Sequence, residues 1–148
     1  MRVLLDTNVV VSALLFGGPP RALLRALCQS PFELWTTRPL LRELARTLKH
    51  NKLRRAVART GLSVDGLMQA YAGQVLVVPD AALPTVNFTP DPRDAPVVAG
   101  ALAAEVDWVI SGDRHLLEAH DAIGADVLTV REALHRAAAL VGQQRGDT

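Results

Sequence analysis

Five short apolar runs set the strongest limit on what this chain can fold into. They are "VLLD" (residues 3–6), "FELWT" (32–36), "QVLVVP" (74–79), "DWVIS" (107–111) and "ADVLTV" (125–130). Each has strand length and is rich in Val, Ile and Leu, as strands buried on both faces are. Helical spacing fills the intervals. "TNVVVSALL" begins with the start signals Asp6, Thr7 and Asn8. In "PPRALLRALCQS", Leu23, Leu24 and Leu27 share a face behind a leading proline. "TRPLLRELARTLKH" sets Leu40, Leu41, Leu44 and Leu48 on one side. Helical patterns also cover 52–72, broken near Gly61, then 93–106, 113–120 and 131–141. This alternation predicts an α/β fold: a three-layer α/β/α sandwich around a central, mostly parallel sheet of four to five short strands. Residues 80–92 read as a long loop. Residues 1–140 read as a single domain and 141–148 as a frayed C-terminal tail.

Composition narrows the class. The chain has 148 residues, 49% of them hydrophobic, enough to bury one core and too apolar for a disordered segment. No apolar run reaches the ~20 residues that span a bilayer. The first residues do not look like a signal peptide, because Asp6 interrupts the apolar run after three residues. The expected location is the cytoplasm. A lone cysteine, Cys28, excludes an internal disulfide framework and a multi-cysteine zinc site.

The net charge of +1 hides a segregation. Between Arg38 and Arg59 lie eight Lys or Arg residues and one acid, Glu43. Between Asp80 and Asp126 lie nine acids and two basic residues, Arg93 and Arg114. A basic segment attracts polyanions, and a cluster of acids can hold a cation.

Four acids fall where a doubly wound sheet binds ligands, beyond the carboxyl ends of its strands. Asp6 directly follows the first strand. Asp113 follows the fourth, after Ser111 and Gly112. Asp94 opens the helix that leads into that strand, one turn before Val98 on the same side as Ala101 and Leu102, so its carboxylate should face the sheet. Glu43 lies at the margin of an apolar helix face. Each has an ordinary explanation. Asp6, Asp91 and Asp113 are placed to cap helices, worth about 1 kcal/mol each, and Glu43 could pair with Arg46 at the surface. Taken together, four converging carboxylates need a counter-charge. Two such charges about 5 Å apart cost on the order of 3 kcal/mol at an effective dielectric of 20. An all-carboxylate oxygen site suits Mg²⁺ or Mn²⁺ better than zinc, and such ions commonly act on phosphates.

At these residues the sequence resembles the PIN-domain family of metal-dependent ribonucleases. The matching pieces are "LLDTNVVVSALL", "LLRELARTL", "DPRDAPVVAGALAAEVDWVISGDRHLL" and "ADVLTV", in the family's order and spanning residues 1–135. The likeness is greatest to bacterial VapC-like PIN proteins described as toxins of toxin–antitoxin pairs. The resemblance implies an RNA-cleaving enzyme with one or two Mg²⁺ or Mn²⁺ ions. It assigns catalytic roles to Asp6, Glu43, Asp94 and Asp113, with metal contact by Asp6, Asp94 and Asp113 and a weaker one, by way of a water, from Glu43. Asn8 and Ser111 fall on supporting positions around the first and fourth acids. Arg93 stands where close relatives often carry another acid, a departure that bears on local metal affinity. The resemblance also implies a homodimer, an RNA substrate and a cognate antitoxin as partners. The broad apolar face of the helix "RALLRALC" reads as core, though in the family this region can contribute to dimerisation or to an antitoxin groove.

Arg38, Arg42, Arg46 and Lys49 recur every three or four residues on the helix that carries Glu43. They form either a solvated face or a phosphate track beside the metal site. Trp35 and Trp108 sit on strands and read as core. His115 is close in sequence to Asp113, and the other histidines show no metal-ligand spacing. A catalytically weak RNA-binding module of the same fold is the alternative function. A phospho-acceptor receiver needs a lysine after a late strand, and the only lysines are Lys49 and Lys52. A dehalogenase-type phosphatase needs an acid at position 8, where this chain has Asn8.

Overall fold

Each of the five apolar runs forms a strand in a computed structural model that describes residues 1–87, 91–118 and 120–146. The strands are β1 (Arg2–Leu5), β2 (Glu33–Thr37), β3 (Leu76–Val78), β4 (Trp108–Ile110) and β5 (Asp126–Leu128). All pair in parallel, in the order β3-β2-β1-β4-β5. The chain therefore builds outward from β1 through β2 to β3, then crosses back to place β4 and β5 on the other side. β1 lies at the centre, and the reversal of strand order falls between β1 and β4.

The helices are α1 (Thr7–Leu15), α2 (Gly18–Leu27), α3 (Arg38–Leu48), α4 (Arg54–Arg59), α5 (Val64–Ala72), α6 (Ala95–Ala104), α7 (Arg114–Glu118), α8 (His120–Ile123) and α9 (Val130–Gly146). Strand alternation divides the core between the two faces of the sheet. Val3, Leu5, Trp108 and Ile110 pack with apolar residues of α1, α2, α5 and α9. Leu4 and Val109 turn the other way and pack with Val97, Val98 and Ala101 of α6, Leu116 of α7 and Ile123 of α8. Burying each such Leu, Ile or Val contributes about 1.5–3 kcal/mol. The result is the expected α/β/α sandwich, with five parallel strands.

Two local devices place the helices that matter for the site. Thr37, at the end of β2, caps α3: its Oγ1 accepts from the Leu40 N–H at 3.2 Å, and Pro39 follows in the first turn. Gly100 lets α6 lie against β1 and β2. A Cβ there would stand 2.9 Å from both Leu4 Cδ1 and Thr37 Cγ2.

Some boundaries differ from the sequence pattern. The loop over 80–92 contains short 3₁₀ turns at Asp80–Ala82 and Pro92–Asp94, and its residues 88–90 lie outside the described ones. Over the stretch 113–120 helix is described at Arg114–Glu118 and again from His120, with residue 119 outside the described ones. The last helix runs to Gly146, past the point where the tail was expected to fray. Leu140 and Val141 pack on the same core as Ala133 and Ala137, which anchors the turns that polar composition suggested would be loose. Trp108 is buried against Phe32, ring centroids 5.6 Å apart. Trp35 is half-buried beneath the Arg2 guanidinium, 5.3 Å from the ring centre. Among the described residues no single helix is long and apolar enough to cross a membrane.

Candidate active site

Asp6 ends β1 at the reversal point. Its backbone N–H donates to the Ile110 carbonyl at 3.0 Å, which locks it to the end of β4. Capping does not account for its side chain. A helix cap normally accepts from the second or third residue of the helix. Asp6 Oδ1 accepts only from the first, the Thr7 N–H at 2.8 Å, while Oδ2 accepts from Ser111 Oγ at 2.8 Å. Ser111 is fully buried and also accepts, at Oγ, from the Asp113 N–H at 2.9 Å. One hydroxyl thus fixes the first acid and the turn that carries the fourth. Asp113 is a cap, as one of its two readings expected: Oδ1 accepts from the His115 N–H at 2.8 Å.

Asp94 is 7% exposed although it opens a helix. The spacing that set it one turn before Val98 accounts for this, because Val97 and Val98 face the sheet. Its carboxyl lies close enough to Asp113 to feel that residue's charge. Burial and the charges of Asp113, Asp91 and Asp6 push it up to about 6. Burial also raises Asp6 above its ordinary value, against the pull of the Ser111 and Thr7 bonds and with a push from Asp113. Asp6, Asp94 and Asp113 therefore repel one another, and the neighbouring cation is turned elsewhere. Arg93 grips Asp91 (Nη2 to Oδ2 at 2.8 Å, Nε to Oδ2 at 3.1 Å), and this bond holds the Asp91 carboxyl down at about 2. Among the described residues, no three His, Cys, Asp or Glu side chains are already closed around a cation position.

Glu43 joins the site by way of Thr7. Its Oε2 accepts from Thr7 Oγ1 at 3.0 Å, so it is tied to the residue after Asp6. It does not pair with Arg46. Thr7, buried and directed at Glu43, is a residue that the sequence pattern treated only as a helix-start signal. The supporting role expected of Asn8 is not what the structure gives. Asn8 is exposed, and among the described residues its side chain makes no hydrogen bond. A helix turns about 100° per residue, so with Thr7 facing inward Asn8 swings to solvent. Ser111 and the Thr7 N–H hold Asp6 instead.

Beside Glu43 a groove of about 540 Å³ is lined by Arg42 and Arg46 of α3, by Lys49 at its C-terminal end, by Arg93 of the 3₁₀ turn before α6, and by Pro96 in the first turn of α6. Arg38 lies outside it and is 3.7 Å from Asp80. The helix period explains the grouping: Arg42, Arg46 and Lys49 follow one stripe. Nothing in the sequence placed Arg93 opposite them, because that depends on how α6 packs.

A PIN-domain family model matches residues 2–115, a span that contains all four acids. A PilT N-terminus domain protein from the hyperthermophilic archaeon Sulfolobus solfataricus P2 has a similar solved structure. The TM-score is 0.55, with 9% identity over 93% of each chain, a likeness of fold. No curated protein matches the chain.

Proposed function

The chain belongs to the PIN-domain family, whose members are generally metal-dependent nucleases, and from that premise we propose that it is a Mg²⁺- or Mn²⁺-dependent endoribonuclease. The observation that carries the proposal is the crowding of Asp6, Asp94 and Asp113 beyond the carboxyl ends of β1 and β4, with burial and like charges raising Asp94 and, among the described residues, no Lys or Arg in an ion pair with any of the three. The donor chemistry fits: the trio offers only hard oxygen atoms, and its repulsion is what a divalent cation would relieve. Asp6, Asp94 and Asp113 would hold the ion, and Glu43, tied to Thr7, would reach it through a water. When bound, the ion supplies activation of a water nucleophile and neutralisation of charge at a phosphodiester.

The chain's own residues do the rest. Ser111 holds Asp6 and Asp113 in one arrangement, so the site loses little order when it is used. Thr7 keeps Glu43 turned toward the same end of the sheet. Arg42, Arg46 and Lys49 attract backbone phosphates into the groove, and Arg38 adds charge at the start of α3. Recognition of RNA by backbone charge and shape requires no base-reading residue.

Cleavage of a single-stranded RNA pool tests the activity. Wild type should cut in Mn²⁺ and not in EDTA, and Asp6→Asn or Asp94→Asn should cut at least 100-fold more slowly, roughly the loss of one catalytic interaction. RNA binding with no cleavage in either metal would favour the alternative, a catalytically weak RNA-binding module.

The finer role we propose is the toxin of a type II toxin–antitoxin pair, acting in the cytoplasm as a homodimer and restrained by a cognate antitoxin. The likeness of the four sequence pieces to bacterial toxins supports it. Induced expression should arrest growth with wild type and not with Asp94→Asn; equal growth would contradict it.

A further inference from the structure

Arg93 is the one groove cation that has a carboxylate partner among the described residues. Arg42, Arg46 and Lys49 are exposed and unpaired there. Arg93 makes three contacts with Asp91, at 3.2, 3.1 and 2.8 Å, yet its side chain is 87% exposed. With the guanidinium so open to solvent, a phosphate can reach it and compete with Asp91 for its donors. The guanidinium fork that accepts two carboxylate oxygens accepts two phosphate oxygens equally well. Its position matters as much as its chemistry. Arg93 lines the groove facing the α3 cations and immediately precedes Asp94 in the chain. It is therefore the basic side chain of the groove that borders the carboxylate trio.

We propose that Arg93 is a phosphate-binding residue of the RNA site, and that Asp91 competes for it. In the free protein Asp91 holds the guanidinium. When RNA enters the groove, Arg93 exchanges that carboxylate for the backbone phosphate next to the bond to be cut. The same side chain then registers the strand between the α3 cations and Asp94. The inference rests on the RNA-cleaving function above.

Three variants separate this from simpler roles: Arg93→Ala, the double variant, and Asp91→Asn, which keeps a side-chain oxygen where Asp91 Oδ1 accepts from the Arg93 N–H at 2.9 Å. Binding of a short fluorescein-labelled single-stranded RNA is followed by anisotropy across a salt series in EDTA, and KM and kcat are measured in Mn²⁺ on the same RNA. Arg93→Ala should bind roughly fivefold or more weakly, with a salt slope shallower by about 0.7. Its KM should rise by a similar factor while kcat changes less. Asp91→Asn should bind more tightly than wild type, and that gain should vanish in the double variant. If the pair only braces the 3₁₀ turn, Arg93→Ala and Asp91→Asn change binding in the same direction, which overturns the proposal. A gain from Asp91→Asn that persists without Arg93 reflects general repulsion and also overturns it. Wild-type cleavage with unchanged affinity, slope and KM in Arg93→Ala removes the role of Arg93 and leaves the nuclease intact. Wild type that neither binds nor cuts RNA removes both.

Discussion

Ser111 Oγ donates to Asp6 Oδ2 at 2.8 Å, joining two residues 105 positions apart. The bond spans the reversal between β1 and β4, and the same oxygen accepts from the Asp113 N–H. Ser111→Ala deletes both bonds and leaves Asp6 and the Asp113 N–H without that partner. The expected destabilisation is about 1–3 kcal/mol, seen as a lower urea midpoint with an unchanged slope. The rate of RNA cleavage should fall further than the loss of folded protein explains. A variant with wild-type stability and rate would show that the bond orders nothing.

Asp94 gives stability a specific dependence on pH. Its carboxyl titrates near 3.8 when unfolded and at about 6 in the folded chain. Between those values the folded form holds the extra proton, so metal-free stability falls as pH rises from about 4 to about 6 and then levels. Asp94→Asn cannot titrate and should lack this fall. Urea midpoints of both proteins in EDTA should converge toward about pH 4 and diverge toward about pH 7, with Asp94→Asn the more stable there. Parallel curves would contradict the crowding of the three acids. Because protons compete with a cation for the same oxygens, Mn²⁺ affinity of wild type should weaken as pH drops below about 6.

The fold was legible because its signals are local and repeated. Strand-length apolar runs alternating with amphipathic helices leave little besides a covered parallel sheet, and the observed order adds only which strands neighbour which. Asp94 was legible too, since its place one turn before Val98 predicts its burial. The Ser111–Asp6 bond, the Thr7–Glu43 bond and the placement of Arg93 across from α3 were not. Each joins segments distant in sequence, and its geometry depends on the register between β1 and β4, on how α3 packs beside α1, or on the seat of α6. Asn8 shows the converse. The family resemblance implied that it supports Asp6, but the turn of α1 carries it to solvent. The extent of α9 was hidden because its last turns are polar in composition yet anchored by Leu140 and Val141.

Gly100 is where packing and chemistry meet. A methyl group there would press on Leu4 and Thr37 at 2.9 Å, and both are buried and unable to swing aside. Gly100→Ala should cost about 1–3 kcal/mol. It should also depress cleavage in the fraction that remains folded, because α6 carries Asp94 at its start. Thermal unfolding with cleavage measured well below the transition checks both. Full activity per folded molecule would mean that Asp94 does not depend on the seat of α6.

The central claim is that Asp6, Asp94 and Asp113 form one divalent-cation site. Titration of the metal-free protein with Mn²⁺, read by the loss of free-ion paramagnetic resonance signal near neutral pH, addresses it without any substrate. Wild type should bind one or two ions, and Asp6→Asn and Asp94→Asn should each weaken the tightest site by roughly tenfold or more, on the order of 1.4 kcal/mol. Equal Mn²⁺ binding by wild type and both variants, or none by any of them, would contradict the account.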